Sequence, residues 1–383
     1  MLRSSGQRVS LRQFLCVQTI PCRFIYTQSE DQQTETSTVQ QPQIQSPVQQ
    51  LKSPVSIDTF QRDAFNPGKP LLITPSEPYT RPIFHNPEYP FRAVPTWFKI
   101  KWLKDRSGRG LVGPTETLIE TFGRSGRPGT LLPYELVVPS PGCPDYEQVV
   151  RNIFAFAKRE SFGLPWTDFG LWHKNRARNA APGATVPEGP SFFKFEAPIT
   201  LLEAAMKFNV KMPPAQRMKQ LYIAQLLISD TPQQIQNDLG TPEYVLKAGK
   251  GDVYSSSIWM GLEPTYTPFH CDPNPNLFCQ LVGSKVVRLA EPGFGKHLFE
   301  KVQQEIGASP KNPAIRGGEM MQGPERKALH EAVWGEAADA SSKIYEVTVR
   351  PGDQLFIPNR WWHSVKSEGD QGELNASVNW WFR

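Results

Sequence analysis

The stretch that decides the fold is TYTPFHCDPNPNLFCQLVGSK, residues 265–285. It contains two short apolar runs separated by a segment rich in Pro and Asn. Runs of β-branched and aromatic residues bounded by such turn residues are typical of strands. Similar runs fill the chain from residue 252 onward, and eight short strands predict a sandwich or small barrel of the jelly-roll type. The predicted strands are 253–259, 265–270, 277–282, 286–290, 344–349, 354–357, 363–367 and 376–381.

Two features interrupt or connect these strands. The segment LVGSKV, residues 281–286, predicts a tight hairpin in which Gly283 supplies the positive φ of a primed turn. Residues 291–343 break the strand series and are partly helical over 324–338. Such an insertion either forms a lid and carries specificity or is a tolerated surface excursion, and the sequence leaves both open. Apolar periodicity predicts a further helix over 145–160, and another helix is predicted over 199–209.

Three residues in these strands could hold a metal ion. His270 and Asp272 are separated by one residue, so in an extended strand their side chains emerge on the same face and can reach one ion. His363 follows ninety-three positions later in a similar apolar context. Two imidazoles and a carboxylate can occupy one face of an octahedral metal, as in non-haem Fe(II) oxygenases. Because an isolated H-x-D pair is common by chance, the assignment depends on its surroundings.

These surroundings match a known family. Residues 265–285, together with PGDQLFIPNRWWH at 351–363, resemble the JmjC-type, cupin-fold 2-oxoglutarate oxygenases. The resemblance is closest to the small hydroxylase-like branch that includes the asparaginyl hydroxylase of the hypoxia response. It covers residues 195–383 and, through GKPLLI at 68–73, extends to about residue 57. It implies a mainly β fold, with a double-stranded β-helix core of the jelly-roll or cupin type and flanking α-helices.

The resemblance also implies roles for individual residues. His270, Asp272 and His363 would bind Fe(II) and form the catalytic centre, with 2-oxoglutarate as cosubstrate. Lys285 would pair with the distal carboxylate of 2-oxoglutarate, because a buried ammonium needs a counter-charge. Cys271 should point to the other side of its strand and act as a packing residue. Residues expected to donate hydrogen bonds to the cosubstrate are Tyr222, Thr267 and Asn276, and those expected to border the substrate are Trp259 and Asn379.

The N-terminal part has a different composition. Residues 1–29 contain four arginines and no Asp, Glu or Lys, which predicts a mitochondrial transit peptide and a matrix location. A basic tail on a cytoplasmic or nuclear protein is the alternative. Residues 30–56, rich in Gln, Ser, Thr and Pro, predict a disordered linker. Residues 57–194 are expected to form a helical, Pro-rich part of the oxygenase, and residues 195–383 the catalytic core.

Charge and cysteine content exclude some classes of protein. The chain has 42 basic and 37 acidic residues, and without the four arginines of residues 1–29 these numbers become 38 and 37. A mature protein so close to neutrality gives no global argument for nucleic-acid binding, although local basic clusters remain. The five cysteines show no C-x-x-C spacing, so neither a zinc finger nor a disulfide framework is indicated. The apolar stretches near the N-terminus are too interrupted for a membrane span.

The favoured hypothesis is therefore a mitochondrial dioxygenase that hydroxylates a C–H bond. By analogy with the hydroxylase-like branch, this bond is expected to belong to a protein side chain. Demethylation of an N-methyl lysine is the nearest alternative, because it is the same hydroxylation on a methyl carbon that is then lost as formaldehyde. Hydroxylation of an RNA base is a third. A catalytically silent cupin that serves as a binding module is the non-enzymatic alternative. The sequence does not indicate the oligomeric state.

Overall fold

The computed structural model describes residues 48–76, 91–123, 130–139, 143–160, 170, 190–308, 314, 320–339 and 343–383. The predicted transit peptide, and the predicted linker up to residue 47, lie outside these ranges. In chain order, the strands of the described residues are β1 (Gln49–Lys52), β2 (Leu71–Thr74), β3 (Phe98–Lys104), β4 (Gly110–Pro114), β5 (Leu132–Val138), β6 (Ser191–Ala197), β7 (Leu221–Leu227), β8 (Val253–Leu262), β9 (Tyr266–Cys271), β10 (Asn276–Val282), β11 (Lys285–Ala290), β12 (Ile344–Val349), β13 (Gln354–Ile357), β14 (Trp362–Ser367) and β15 (Leu374–Phe382).

The last eight strands form two antiparallel sheets. The major sheet contains β13, β10, β15 and β8 side by side, and the minor sheet consists of β12, β11, β14 and β9. The chain passes from one sheet to the other at nearly every connection, so the predicted double-stranded β-helix is confirmed. All eight predicted strands are present with small differences at their ends. Residues of both sheets share one apolar core, among them Phe278, Leu355 and Ile357 from the major sheet and Val287, Leu289 and Val347 from the minor sheet.

Strand β10 lies at the centre of the major sheet and is buried at every position. Phe278 packs into the core shared with the minor sheet. Leu277, Cys279 and Leu281 pack into a second, larger core on the opposite face of the major sheet. A strand covered on both faces needs apolar residues at successive positions, which explains why its sequence does not alternate.

The major sheet continues beyond the jelly roll on both edges. Strands β7, β5 and β6 extend one edge, and β2 and β1 extend the other. The prediction that residues 30–56 form a disordered linker is therefore wrong for its C-terminal part, because Gln49–Lys52 pairs in parallel with Leu71–Thr74. Three of the four residues of β1 are exposed. An edge strand is held by backbone hydrogen bonds and tolerates polar side chains, so its composition resembles that of a linker.

The description of residues 57–194 as helical and Pro-rich is incomplete, because strands β2 to β5 also lie there. Strand β5 pairs with both β6 and β7. Its burial alternates strictly along LPYELVV, as expected for a half-buried strand. Flanking segments rich in Gly and Pro conceal this alternation in the sequence.

The described helices include the three that the sequence predicts, and they lie at 146–160, 200–210 and 323–334. None of the described helices is long and apolar enough to cross a membrane. In chain order the helices are α1 (Ile57–Phe60), which continues into a π-helical turn, α2 (Ala93–Trp97), α3 (Glu116–Phe122), α4 (Tyr146–Glu160), α5 (Thr200–Val210), α6 (Gln233–Leu239), α7 (Glu243–Lys247), α8 (Pro292–Glu305), α9 (Gly323–Trp334) and α10 (Glu336–Asp339).

Helices α8 and α9 belong to the insertion and cover the outer face of the minor sheet. Leu329 and Val333, one helical turn apart on α9, pack with Phe299 of α8. The same cluster contains Phe269 of β9 and Trp362 of β14, whose rings stack 5.2 Å apart. The described part of the insertion is thus packed onto the core.

The predicted hairpin at residues 281–286 is wrong, although Gly283 does have a positive φ of 69°. Strand β10 pairs with β13 and β15, whereas β11 pairs with β12 and β14, so the turn crosses between the two sheets. A Cβ atom at Gly283 would lie 2.7 Å from the side-chain nitrogen, Nδ2, of Asn375. Glycine is therefore required both by the conformation and by the close approach of β15.

Candidate active site

Three predicted metal ligands meet at one end of the minor sheet. His270 of β9 lies directly opposite His363 of β14, and the ring centroids are 4.1 Å apart. Asp272 follows β9 and places its two carboxylate oxygens 3.7 Å from the Nε2 atoms of the two histidines. One ligand atom from each residue lies within 4.8 Å of the others, close enough for a single ion. The strand pairing thus brings together residues that are far apart in the sequence.

The backbone fixes which nitrogen of each histidine is available. His270 Nδ1 lies 2.8 Å from the carbonyl oxygen of Pro268, and His363 Nδ1 lies 3.2 Å from that of Trp361. A carbonyl can only accept, so each Nδ1 carries the proton and each Nε2 offers a lone pair toward Asp272. Burial and the neighbouring His270 lower the pKa of His363 to about 4. A neutral imidazole is the form that binds a metal.

Asp272 is held by two residues of neighbouring strands. Trp381 Nε1 donates a 2.7 Å hydrogen bond to Asp272 Oδ2, and the side chain of Asn276 contributes another. Burial raises the pKa of Asp272, but the two histidines and these two hydrogen bonds outweigh it and keep the pKa below its usual value. Asn276 and Trp381 are direct cross-strand partners in β10 and β15. The sequence does not distinguish Trp381 from the other tryptophans, and only this pairing reveals its contact with the site.

An irregularity in β9 places Thr267 in the pocket. Between the pairs His363–His270 and Val365–Thr267, three steps along β9 correspond to two steps along β14. Such a bulge shifts the side-chain alternation by one position. Thr267 and His270 therefore both line the pocket although they are three residues apart. Cys271 packs with the outer cluster on the opposite face, as predicted.

Lys285 is a buried cation with neutral hydrogen-bonding partners. It is 4% exposed, and its Nζ donates to Tyr222 Oη at 3.0 Å and to Ser377 Oγ at 2.8 Å. The ammonium also lies 5.3 Å from the centroid of the Phe278 ring. Burial lowers the pKa of Lys285 to about 7, and the buried Glu263 opposes this only in part. Ser377 carried no signal in the sequence beyond its position in a predicted strand.

The pocket also contains polar atoms that lack a partner among the described residues. Trp259 Nε1 and Asn379 Oδ1 are both buried and form no hydrogen bond. Asn379 Nδ2 donates to Asn276 Oδ1 at 3.3 Å, which connects it to the residue that holds Asp272. Buried polar atoms normally have partners. A pocket with unpaired polar atoms, a buried cation and three metal ligands fits an iron ion and an anionic, oxygen-rich cosubstrate.

All four predicted cosubstrate residues line this same pocket, as do Trp259 and Asn379. In the structure Asn276 bonds to Asp272, so its first contact is with a metal ligand. The insertion also reaches the pocket through Met321 and Arg326. The sequence does not single out these two residues, because no local pattern in the insertion indicates which of its residues face the site.

The comparisons with known proteins agree with this geometry. The model of the cupin-like domain family matches residues 172–383. The chain belongs to the cupin-like domain family. Its relatives include proteins named for the JmjC domain. The fruit fly Jumonji C domain-containing protein 5 is 29% identical over 150 residues, which are 39% of this chain and 33% of that protein. The resemblance to JmjC-type proteins is thereby confirmed.

Two further relatives are named as lysine-specific demethylases. The zebrafish lysine-specific demethylase 8 is 30% identical over 163 residues, which are 42% of this chain and 36% of that protein. The Arabidopsis lysine-specific demethylase JMJ31 is 24% identical over 231 residues, which are 58% of this chain and 36% of that protein. The alignments thus span about a third of the length of these curated relatives.

Proposed function

We propose that this protein is an Fe(II)- and 2-oxoglutarate-dependent dioxygenase that hydroxylates a C–H bond of a protein side chain. The observation that carries the proposal is Lys285, an ammonium buried with hydroxyl partners in the pocket that also contains the three candidate ligands. A buried charge of this kind is stabilised by an anion. The cosubstrate 2-oxoglutarate has one carboxylate for such a cation and a 2-oxoacid group that can chelate a metal.

His270, Asp272 and His363 would hold the iron, and the remaining coordination positions would be open to ligands. When bound, the iron would supply oxygen chemistry in which dioxygen is the oxidant: one oxygen atom would enter succinate as 2-oxoglutarate loses carbon dioxide, and the other would become the hydroxyl group of the substrate. The protein's own residues orient the reactants. Lys285, Tyr222 and Thr267 would bind the cosubstrate, and apolar side chains of the pocket would exclude water. The apolar side chains concerned are Phe278, Ile357 and Val365.

The alternatives differ in what supports them. Lysine demethylation is favoured by the names of two relatives, and release of formaldehyde would distinguish it from stable hydroxylation. The basic cluster from Lys99 to Arg109 lies on β3 and its connection to β4. None of its members lines the pocket, so the cluster does not support an RNA substrate. A silent binding module would have no need of all three ligands together with Lys285.

Succinate formation tests the proposal. The full chain, supplied with Fe(II), ascorbate and 2-oxoglutarate in air, should convert 2-oxoglutarate slowly to succinate without a prime substrate. His270→Ala should abolish this conversion, whereas His297→Ala, at an exposed position of α8, should leave it intact. Equal succinate formation by the wild type and His270→Ala would show that the pocket does not perform this chemistry.

We also propose a mitochondrial location, supported by the composition of residues 1–29. A fusion of these residues to a fluorescent protein should accumulate in mitochondria and be shortened there. Replacing the four arginines by glutamine should prevent this. Uniform cytoplasmic fluorescence of the unaltered fusion would contradict the proposal.

A further inference from the structure

The insertion places one basic side chain, that of Arg326, at the pocket, and no acidic side chain among the described residues pairs with it. Helix α9 is anchored to the outer face of the minor sheet by Leu329 and Val333. This packing sets the position of the first turn of α9, which carries Arg326 to the wall of the pocket. The first turn of α9 therefore faces the same cavity as the three candidate metal ligands.

The surroundings of Arg326 stabilise its position but do not neutralise it. Its guanidinium lies over the ring of Tyr266, 4.7 Å from the centroid. The Nε atom is buried and has no hydrogen-bond partner among the described residues. Burial lowers the pKa of Arg326, and Tyr266 alone opposes this shift. A guanidinium that stacks on an aromatic face keeps its N–H groups at the edge of the plane, where they can bind an anion with two parallel hydrogen bonds.

The other charges near the pocket do not compensate for Arg326. Glu135 and Lys194 both line the pocket and pair with each other at 3.5 Å. Asp272 faces the two histidines, and Lys285 lies deep in the barrel. On the side of α9 the surroundings are positive, since burial and then Lys366 and Arg326 lower the pKa of His330 to about 4. Within the part of the insertion that the structure describes, the pocket wall thus presents a positive charge without an acidic partner.

We infer that Arg326, supported by Tyr266, binds a carboxylate of the substrate, and that the substrate is an acidic peptide segment. The inference deepens the proposed function, because it names the class of substrate for the same pocket. A methylated lysine would bring a second cation beside Arg326 and would be disfavoured. The expected specificity therefore differs from the activity in the names of the demethylase relatives.

Binding of defined peptide pools tests this inference without turnover. Three fluorescent pools of random peptides would share every feature except the central residue, which is Asp, Asn or trimethyl-lysine, and a fourth pool would carry phosphoserine there. Each pool is titrated with the full chain under anaerobic conditions in the presence of Fe(II) and 2-oxoglutarate. Fluorescence anisotropy reports binding, and the absorbance of the iron–2-oxoacid complex reports whether the centre is assembled.

We expect the Asp pool to bind at least about tenfold more tightly than the trimethyl-lysine pool, since an opposite charge replaces a like charge at one site. Arg326→Gln should remove this preference, Arg326→Glu should reverse it and Arg326→Lys should restore part of it. Lys327→Glu is the matched control, because Lys327 is the next residue of α9 and is exposed. It should leave the preference unchanged.

The outcomes that overturn the inference are distinct from failure of the proposed function. A preference for trimethyl-lysine in the wild type, no binding of any pool, or a preference for Asp that survives Arg326→Glu would each refute the role of Arg326. Tighter binding of the phosphoserine pool, with the same dependence on Arg326, would refute the assignment to carboxylate. Absence of the iron–2-oxoacid absorbance in the wild type would instead refute the proposed function.

Discussion

The jelly-roll core and the insertion line the same pocket but differ in how their charges are arranged. In the core, each candidate ligand is held by a hydrogen bond: His270 and His363 to backbone carbonyls, and Asp272 to the indole of Trp381. In the insertion, Arg326 is held by an aromatic ring, and its Nε lacks a hydrogen-bond partner among the described residues. The core is therefore organised to hold a metal and a cosubstrate in fixed geometry. The insertion leaves a charge available for a group that comes from outside.

The largest effect should follow from removing the anionic ligand of the core. Asp272→Ala leaves two neutral imidazoles, and metal-assisted chemistry is worth several kcal/mol, so succinate formation should fall by about a thousandfold or more. Asp230→Ala, at an exposed position outside the pocket, is the control. Turnover by Asp272→Ala within a factor of ten of the wild type would contradict the assignment of the ligands.

The next effect should come from the buried cation of the core. Lys285→Ala removes the partner of the distal carboxylate, and truncating a buried hydrogen-bonded charge pair costs about 2–5 kcal/mol. The affinity for 2-oxoglutarate should therefore fall by about 30-fold or more, while iron binding is retained. Isothermal titration calorimetry with 2-oxoglutarate and with iron measures the two affinities separately. If iron binding fell in parallel, Lys285 would be supporting the fold of the pocket.

Trp381→Phe should have an intermediate effect, because it removes one hydrogen bond to Asp272 and preserves an aromatic ring. Loss of a partner of a metal ligand typically lowers metal affinity by about 10–100-fold. Trp380→Phe is a matched control on the same strand, since Trp380 is buried against Phe91 in the larger core on the other face of the major sheet. Trp380→Phe should lower the melting temperature, with little change in iron affinity. If Trp380→Phe lowered the iron affinity and Trp381→Phe did not, Trp381 would not be a support of the metal site.

The affinity for 2-oxoglutarate should also depend on pH. The pKa of Lys285 is lowered to about 7, so the ammonium that binds the dianion is present below pH 7 and is lost above it. Between pH 6 and pH 8 the affinity should fall by about tenfold. Lys285→Arg keeps its charge over this range and should flatten the dependence. An equal slope in both proteins would assign the titration to another group.

The smallest effect on the core should come from loosening the insertion. Leu329→Ala removes buried contacts between α9 and the minor sheet and costs about 2–5 kcal/mol of local packing. The affinity for 2-oxoglutarate should change by less than about threefold, whereas the preference for the Asp peptide pool should weaken. A loss of 2-oxoglutarate affinity as large as that of Lys285→Ala would show that the two regions are not separable.

The core could be predicted from the sequence because its signals are local. The strands around His270 and His363 have turn residues at both ends, and the H-x-D spacing puts two ligands on one face. The resemblance to JmjC-type proteins then predicted that Lys285 and Tyr222 belong to the same site. They lie 63 positions apart in the sequence and meet only in the folded barrel.

The remaining features depend on contacts that no local pattern records. Strand β1 is polar because it lies at a sheet edge, and the turn at Gly283 crosses between sheets because β10 and β11 pair with different strands. Trp381 could not be distinguished from the other tryptophans until its strand was paired with Asn276. Arg326 required the position of α9 on the minor sheet, which is set by apolar contacts over a long sequence distance.

The central claim is that iron and 2-oxoglutarate bind together in the core, and anaerobic titration tests it most directly. The purified protein is titrated with Fe(II) and 2-oxoglutarate while the metal-to-ligand charge-transfer band of a chelated 2-oxoacid is recorded. We expect a saturable band in the wild type, and no band in His270→Ala or Lys285→Ala at matched concentrations. Iron binding without a band in the wild type would contradict the joint binding of iron and 2-oxoglutarate and would favour a cupin that binds metal for another purpose.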